Sequence, residues 1–304
     1  MSAWVLLTVA GAFLQNLRSL LQRRLTGDLS VNGAAYVRFL FALPFAWLFL
    51  LACHHGIGST SWPAPNSEFL LFVVAGAITQ IIATSALVAA VSGSHFALGT
   101  ALSKTEAVQA VLLGLLILGE GVSFMAFGGI AISLLGVFLL SGNIRPKDLV
   151  RGDRAVWFGL LAGTSLALCS ICYRGASLAL LGPDAEFTPV TQTVVVAAFT
   201  LAVAVSLQTV VMGIYLRLIE PGQMTLVLER WRPAVVVGLI AMLASACWFT
   251  AMAMHNAAMV RALGQIELLF TLITSIWLLQ ERVSRREVLG MSLLVLGILM
   301  LILF

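Results

Sequence analysis

Residues 101–136 read ALSKTEAVQAVLLGLLILGEGVSFMAFGGIAISLLG, and residues 262–297 read ALGQIELLFTLITSIWLLQERVSRREVLGMSLLVLG. Laid over one another without a gap, Glu106 falls on Glu267, Glu120 on Glu281, Ser123 on Ser284, Gly129 on Gly290 and Gly136 on Gly297. Leucine matches count for little in so apolar a sequence. Matched acids inside apolar runs, and matched glycines at equal spacing, are much harder to obtain by accident. The chain reads as a duplication, which is the property to settle before any other.

Working outward, the sequence is 61% hydrophobic and only 10% charged, against about 25% charged in soluble domains. Most of it has no polar face to offer water, so an integral membrane protein is expected. Its 304 residues hold about ten spans of about 20 residues each. Apolar runs place them near 3–24, 32–53, 68–91, 95–118, 123–141, 155–180, 188–214, 233–254, 257–279 and 285–304. The charged link that begins at Arg145 divides a first repeat at 1–142 from a second at 154–304, with 143–153 as linker. Five spans per copy is an odd number, so the second copy enters the membrane from the opposite side. The expected fold class is therefore all-α: about ten transmembrane helices in two inverted-topology five-helix repeats around a central cavity. Secondary transporters are often built this way, with the substrate near the midplane between the copies.

The formal net charge of +4 does not point to nucleic acid. The basic residues lie at span ends, where membrane insertion and anionic lipid account for them. Loops after spans one, five, seven and nine are basic, whereas those after two and four carry no Lys or Arg. Positive loops are usually cytoplasmic, which places both termini outside. The N-terminus lacks the basic region of a signal peptide, so the first span is expected to stay. Cys53, Cys169, Cys172 and Cys247 read as small apolar residues; the C-x-x-C of Cys169 and Cys172 falls inside a span, away from the context that redox or metal chemistry needs. His54 and His55 read as a loop pair with no third ligand, and no metal or cofactor is expected. Pro44 and Pro189 should kink spans two and seven. Trp4, Trp157 and Trp231 read as interfacial anchors, and Gly159 with Gly163 as a close helix contact.

Glu106 lies about ten residues into span four, roughly 15 to 20 Å from either end at about 1.5 Å per residue, which is the midplane of a core about 30 Å thick. Glu267 has the same depth in span nine. An ionisable group there costs about 2.5 to 3.5 kcal/mol, so Glu106, Glu267 and Lys104 together cost on the order of 8 kcal/mol, comparable to a domain's whole stability. They must face protein or a wet cavity, and such residues are functional candidates; the structural alternative is a lock between spans. Lys104 and Glu106 are two apart on one helix and point in nearly opposite directions, so they cannot pair locally. Gln15 and Arg18, with Gln22, form a polar stripe on span one. Gln80, Gln192 and His255 are further deep candidates, and Trp248 with Phe249 supplies aromatic surface. Arg38 and Arg174 are expected to snorkel. Glu120 and Glu281, at the entry to the following span, suit a helix N-terminus.

Gly-Glu-Gly-Val-Ser at 119–123 and Gln-Glu-Arg-Val-Ser at 280–284, each followed by a span with two glycines seven apart, resemble the EamA-like repeat of the drug/metabolite transporter superfamily. That resemblance covers nearly the whole chain as two repeats. It implies ten helices around a cavity, both termini in the cytoplasm, and transport, often export, of small metabolites or toxic compounds through a cell membrane. Such members commonly carry Glu-Pro where spans four and nine begin to line the cavity. Here Ala107 and Leu268 follow the acids, so a proline hinge is not expected.

The function expected is a secondary transporter of small organic metabolites, amino-acid-like or otherwise zwitterionic, working by alternating access. Burial disfavours the charged form of a carboxylate, which is the ground for expecting proton coupling. The runner-up is a multidrug exporter of lipophilic cations, with carboxylate and aromatic groups lining the cavity and Arg18 and Lys104 turned away from it. No enzyme is expected: the chain has no H-E-x-x-H, no G-x-S-x-G and no phosphate-binding loop.

Overall fold

The computed structural model describes residues 2–23, 29–57, 62–91, 96–140, 154–183, 185, 188–279 and 284–303. His95, the first residue of the fourth apolar run, Glu281 and the 143–153 linker lie outside them. The described residues are mostly helical, with no strand among them, and eight segments are long and apolar enough to cross a membrane: Ala3–Gln22, Val31–Gly56, Ser67–Leu87, Gly99–Leu118, Val156–Leu181, Val190–Ile219, Trp231–Met254 and Arg285–Leu303. Phe124–Leu140 is a shorter apolar helix. By contact the chain divides into two compact units, Met1–Ile81 with Cys172–His255 and Ile82–Ile171 with Asn256–Phe304. Each unit draws helices from both copies of the repeat.

The first unit holds α1 (Ala3–Arg23), α2 (Val31–Leu40), α3 (Leu43–Ile57), the start of α4 (Ser67–Val91), the end of α8 (Arg154–Leu181), α9 (Val190–Ile219), α10 (Gln223–Glu229) and α11 (Trp231–Met254). Trp4 stacks on His255 with ring centroids 4.3 Å apart, and a side chain on Gly11 would lie 3.2 Å from Cys247 Cβ. Numbers rise along α1 as they fall along α11, so the two helices are antiparallel. The second span meets α9 in the same sense: Trp47 Nε1 donates to Ser206 Oγ at 3.1 Å, and Tyr36 Oη fills the space beside Gly213. At the α4–α8 contact Asn66 Nδ2 donates to the Ala179 carbonyl at 2.9 Å, Phe72 covers Gly175, and Tyr173 covers Gly76. Glycine is needed at these two positions because an aromatic ring occupies the place of its side chain. Spans one with eight and three with six exchange when the copies are swapped, while two with seven maps onto itself. Antiparallel pairing with that exchange is what a twofold axis in the membrane plane demands.

The second unit holds the end of α4, the start of α8, and α5 (Phe96–Ser103), α6 (Glu106–Leu118), α7 (Phe124–Leu140), α12 (Ala257–Gly264), α13 (Glu267–Leu279) and α14 (Arg285–Leu303). A side chain on Gly297 would sit 2.5 Å from the Gly129 carbonyl oxygen, and one on Gly136 would sit 2.6 Å from that of Gly290. The matched glycines meet crosswise, each against the partner of the other, so α7 and α14 are antiparallel as well. Small residues allow this backbone approach in lipid, where packing rather than hydrophobic burial joins helices.

Several expectations are corrected. Spans four and nine are not continuous; each breaks just before its acid. The interruption of span two falls at Phe41–Ala42, which leaves Pro44 in the first turn of α3, where a missing N–H costs nothing. Pro189 is the N-cap of α9 rather than a kink within it. His54 and His55 belong to the last turn of α3, with His54 stacked on Trp62 at 4.0 Å. Trp157 and Trp231 are exposed as anchors should be, but Trp4 is buried because His255 takes its ring. Arg174 does not snorkel. Its Nη1 donates to the Met252 carbonyl at 2.8 Å, one of the last carbonyls of α11, which a helix cannot satisfy internally.

Candidate substrate and coupling site

The broken spans position the charges. Thr105, at φ −66° and ψ −5°, and Gln265, at φ −62° and ψ −11°, lie near turn geometry. There the bonds shorten to three residues: Thr105 N–H donates to the Leu102 carbonyl at 3.2 Å, Gln265 N–H to Ala262 at 3.2 Å and Ile266 N–H to Leu263 at 3.1 Å. Such tightening often marks a hinge. No proline makes these breaks. In the first copy the hydroxyls of Ser103 and Thr105 turn back on the carbonyls of Thr100 and Leu102, at 2.7 and 2.6 Å, which bends helices. Gly163 of α8 leaves so little space that a side chain there would lie 3.0 Å from the Ser103 carbonyl, and Thr164 Oγ1 donates to Gln109 Oε1 at 2.6 Å. The Gly159–Gly163 pair thus packs on the break itself.

Each break starts a new helix whose first residue is the acid, Glu106 for α6 and Glu267 for α13. The positive end of a helix dipole favours a carboxylate at that position. The breaks also meet. Gln265 Nε2 donates to the Lys104 carbonyl at 3.1 Å, Arg261 Nη2 lies 3.3 Å from Glu106 Oε2, and Lys104 Nζ lies 3.8 Å from Glu267 Oε1. Each acid is therefore faced by a base from the other copy, and neither Lys104 nor Glu106 depends on its own helix for a partner. The two pairs differ in depth. The side chains of Arg261 and Glu106 are 11% and 7% exposed, those of Lys104 and Glu267 17% and 19%. Removing one partner of a buried pair costs far more than the pair contributes, so Glu106–Arg261 is the lock and Lys104–Glu267 the looser, wetter contact.

The remaining candidates lie in the first unit. Gln80 Oε1 accepts from Tyr173 Oη at 2.7 Å and from Gln208 Nε2 at 2.5 Å, while Gln208 Nε2 also approaches Tyr173 Oη at 3.0 Å. The Tyr173 ring lies against Phe249, centroids 4.3 Å apart. Trp248 is buried beside Gly11. His255 is the C-cap of α11 under the Trp4 ring. Gln15 and Arg18 are half-buried on α1, and Gln22 donates to the Ala34 carbonyl at 2.8 Å. Gln192 is exposed, three residues after Pro189, at the start of α9. Sequence reasoning missed Arg261, Tyr173 and Gln208. The cost argument applied to Lys104 holds equally for Arg261, which stands in an apolar run, and would have found it.

Two broken spans, one in each copy of an inverted duplication and each carrying charge at the break, are the build of a membrane transporter assembled from repeats. The chain belongs to the EamA-like transporter family, which matches residues 2–142 and 154–303, and is thus a transporter of the drug/metabolite type. No curated protein matches it by sequence. Among 27 matching solved chains is one described only as the crystal structure of a protein, at a TM-score of 0.70 and 15% identity, over 99% of this chain and 98% of that one. A likeness at that identity speaks to the fold alone.

Proposed function

We propose that the chain is a secondary transporter that exports small polar organic metabolites, amino-acid-like or otherwise zwitterionic, across a bacterial-type inner membrane by alternating access. The observation that carries this reading is the pair of crossed charge contacts at the two breaks. Four charges in an apolar bundle are expensive, and a purely structural lock would need only one pair. We assign the proton-coupling role to Glu267, whose contact with Lys104 is wider and more exposed than that of Glu106 with Arg261. The lipophilic-cation reading has Arg18 and Lys104 turned away from a cavity lined by carboxylate and aromatic groups, and the approach of Lys104 to Glu267 at 3.8 Å favours the zwitterion reading.

The test is efflux from proteoliposomes loaded with a mixture of the protein amino acids, followed by mass spectrometry. At least one neutral amino acid is expected to leave faster than from empty liposomes, with Glu267→Gln slowing it by about tenfold or more, as loss of a charge-assisted contact does, and flattening its pH dependence. Efflux unaltered in rate and pH profile by Glu267→Gln would end the coupling assignment. Efflux of quaternary ammonium dyes alone would favour the multidrug reading.

A further inference from the structure

We infer that the groove between α13 and α14 holds an acyl chain of an anionic phospholipid whose headgroup sits on Arg285. The groove encloses about 570 Å³, within the range of about 300–1,000 Å³ in which proteins bind small molecules. Leu269 and Ile273 of α13 wall it on one side, and Met291, Val295, Leu296 and Leu299 of α14 on the other. Ile273, Leu296 and Leu299 are each about half exposed, at 50%, 48% and 48%. The one polar side chain of the wall is Ser292, and its hydroxyl donates to the Val288 carbonyl of its own helix at 2.9 Å. Nothing in the groove therefore calls for water. The buried residues of α14, Gly290, Leu294, Gly297 and Leu301, make up the face that meets α7, and the groove residues occupy the opposite face. In a bilayer that face is left to hydrocarbon. Packing rather than hydrophobic burial decides what stays there, and a chain lying between two helix walls touches more atoms than one laid on a flat face.

Charge complementarity names the headgroup. Arg285 stands seven residues before Ser292 and eleven before Leu296, which puts it on the groove face of α14. Its side chain, directed toward the helix N-terminus, extends past the apolar wall. The wall from Met291 to Leu299 runs about 12 Å and begins about 9 Å beyond Arg285, at about 1.5 Å per residue, so a chain can lie in it while its phosphate stays at the interface. Arg285 is exposed, and no described residue pairs with its side chain. The neighbouring acid does not compete for it: the Glu287 carboxylate is turned onto Ser284, accepting from its N–H and its hydroxyl at 2.7 Å each. The first copy supplies a comparison within the same chain. Phe124 stands at the position that matches Arg285 and is 88% exposed, so that surface offers an anion no partner.

The experiment is photolabelling of the full chain in phosphatidylcholine bilayers that contain a trace of phosphatidylglycerol with a diazirine on its acyl chain, then with phosphatidylcholine carrying the same chain, followed by mass spectrometry of the peptides. Adducts within 269–273 and 288–299 are expected to exceed those at Val210 and Ile214, which are exposed on α9 outside any such groove. Phosphatidylglycerol is expected to label the groove about fivefold more than phosphatidylcholine does, the factor that one basic residue at a membrane surface supplies, while 124–138 shows no such preference. Arg285→Gln should abolish the preference and Arg285→Lys keep it. Val295→Trp, which fills the groove, should remove the excess for both lipids; the melt of each variant reports its folding. Groove labelling no greater than that of α9, equal labelling by the two lipids, or a preference that survives Arg285→Gln or Val295→Trp would overturn the site. So would cross-linking of two chains through Val295→Cys, which would give the groove to a second copy. None of these outcomes depends on what the protein transports.

Discussion

Replacing Arg261 by Gln lowers the unfolding free energy by about 3–5 kcal/mol, the range for removing one partner of a buried ion pair. The cost arises from what remains. Glu106 loses the base that faces it, with the dipole of α6 as its chief remaining compensation, and that dipole contributes about 0.3–1 kcal/mol. Glu106→Gln combined with Arg261→Gln removes both charges and should recover more than half of the loss. Lys104→Gln should cost much less, about 1 kcal/mol, because its pair is wider and less buried, and an ion pair contributes less as water reaches it. Denaturant unfolding of the purified chain in micelles checks all three. An Arg261→Gln protein as stable as the parent would show that the lock does not exist.

Gly297→Val is the second large effect. The new Cβ would fall 2.5 Å from the Gly129 carbonyl oxygen and 2.6 Å from Ser133 N; both are backbone atoms that cannot rotate aside. The only relief is for α7 and α14 to separate, which also opens the mirrored contact of Gly136 with Gly290. Overpacking costs about 1–3 kcal/mol where side chains can give way, and rigid backbone on both sides places this substitution at the top of that range or above it. Gly128→Val is the control, since only the flexible end of Met300, 3.7 Å away, faces that site. Stability measured in the same micelles should fall for Gly297→Val and change by less than about 1 kcal/mol for Gly128→Val.

The duplication was legible in the sequence because both of its marks are physically constrained. An acid at the midplane and a glycine at a backbone contact tolerate few replacements, so they stand out against interchangeable leucines. The odd number of spans then required inversion, and the antiparallel pairs in each unit agree with it. The breaks were not legible. Proline is the usual sign of one, and at the first break its place is taken by Ser103 and Thr105 hydroxyls and by the press of Gly163, whose effect depends on which carbonyls they meet in the fold.

Partner identities were also hidden. Exact symmetry would give Glu267 a base at position 100, the match of Arg261, but Thr100 stands there and the acid takes Lys104 instead. The repeat alignment sets Lys104 against Gln265, and so gives no hint that the two side of the breaks touch through the Lys104 carbonyl. Tyr173 and Gln208 escaped notice for a different reason: a neutral polar residue in an apolar run carries little cost when it has a partner, so nothing in the sequence separates it from its neighbours.

The most direct test of two inverted, interlocked copies is cross-linking between α7 and α14. With Gly128→Cys and Met300→Cys in one chain, a short bis-maleimide should join them in membranes, because the antiparallel crossing brings residue 128 beside residue 300. Gly128→Cys with Leu289→Cys, the repeat-matched position, should stay unlinked. The reverse result, with 128 joined to 289 and not to 300, would mean that the copies run parallel, and the crossed charge pairs would lose their basis.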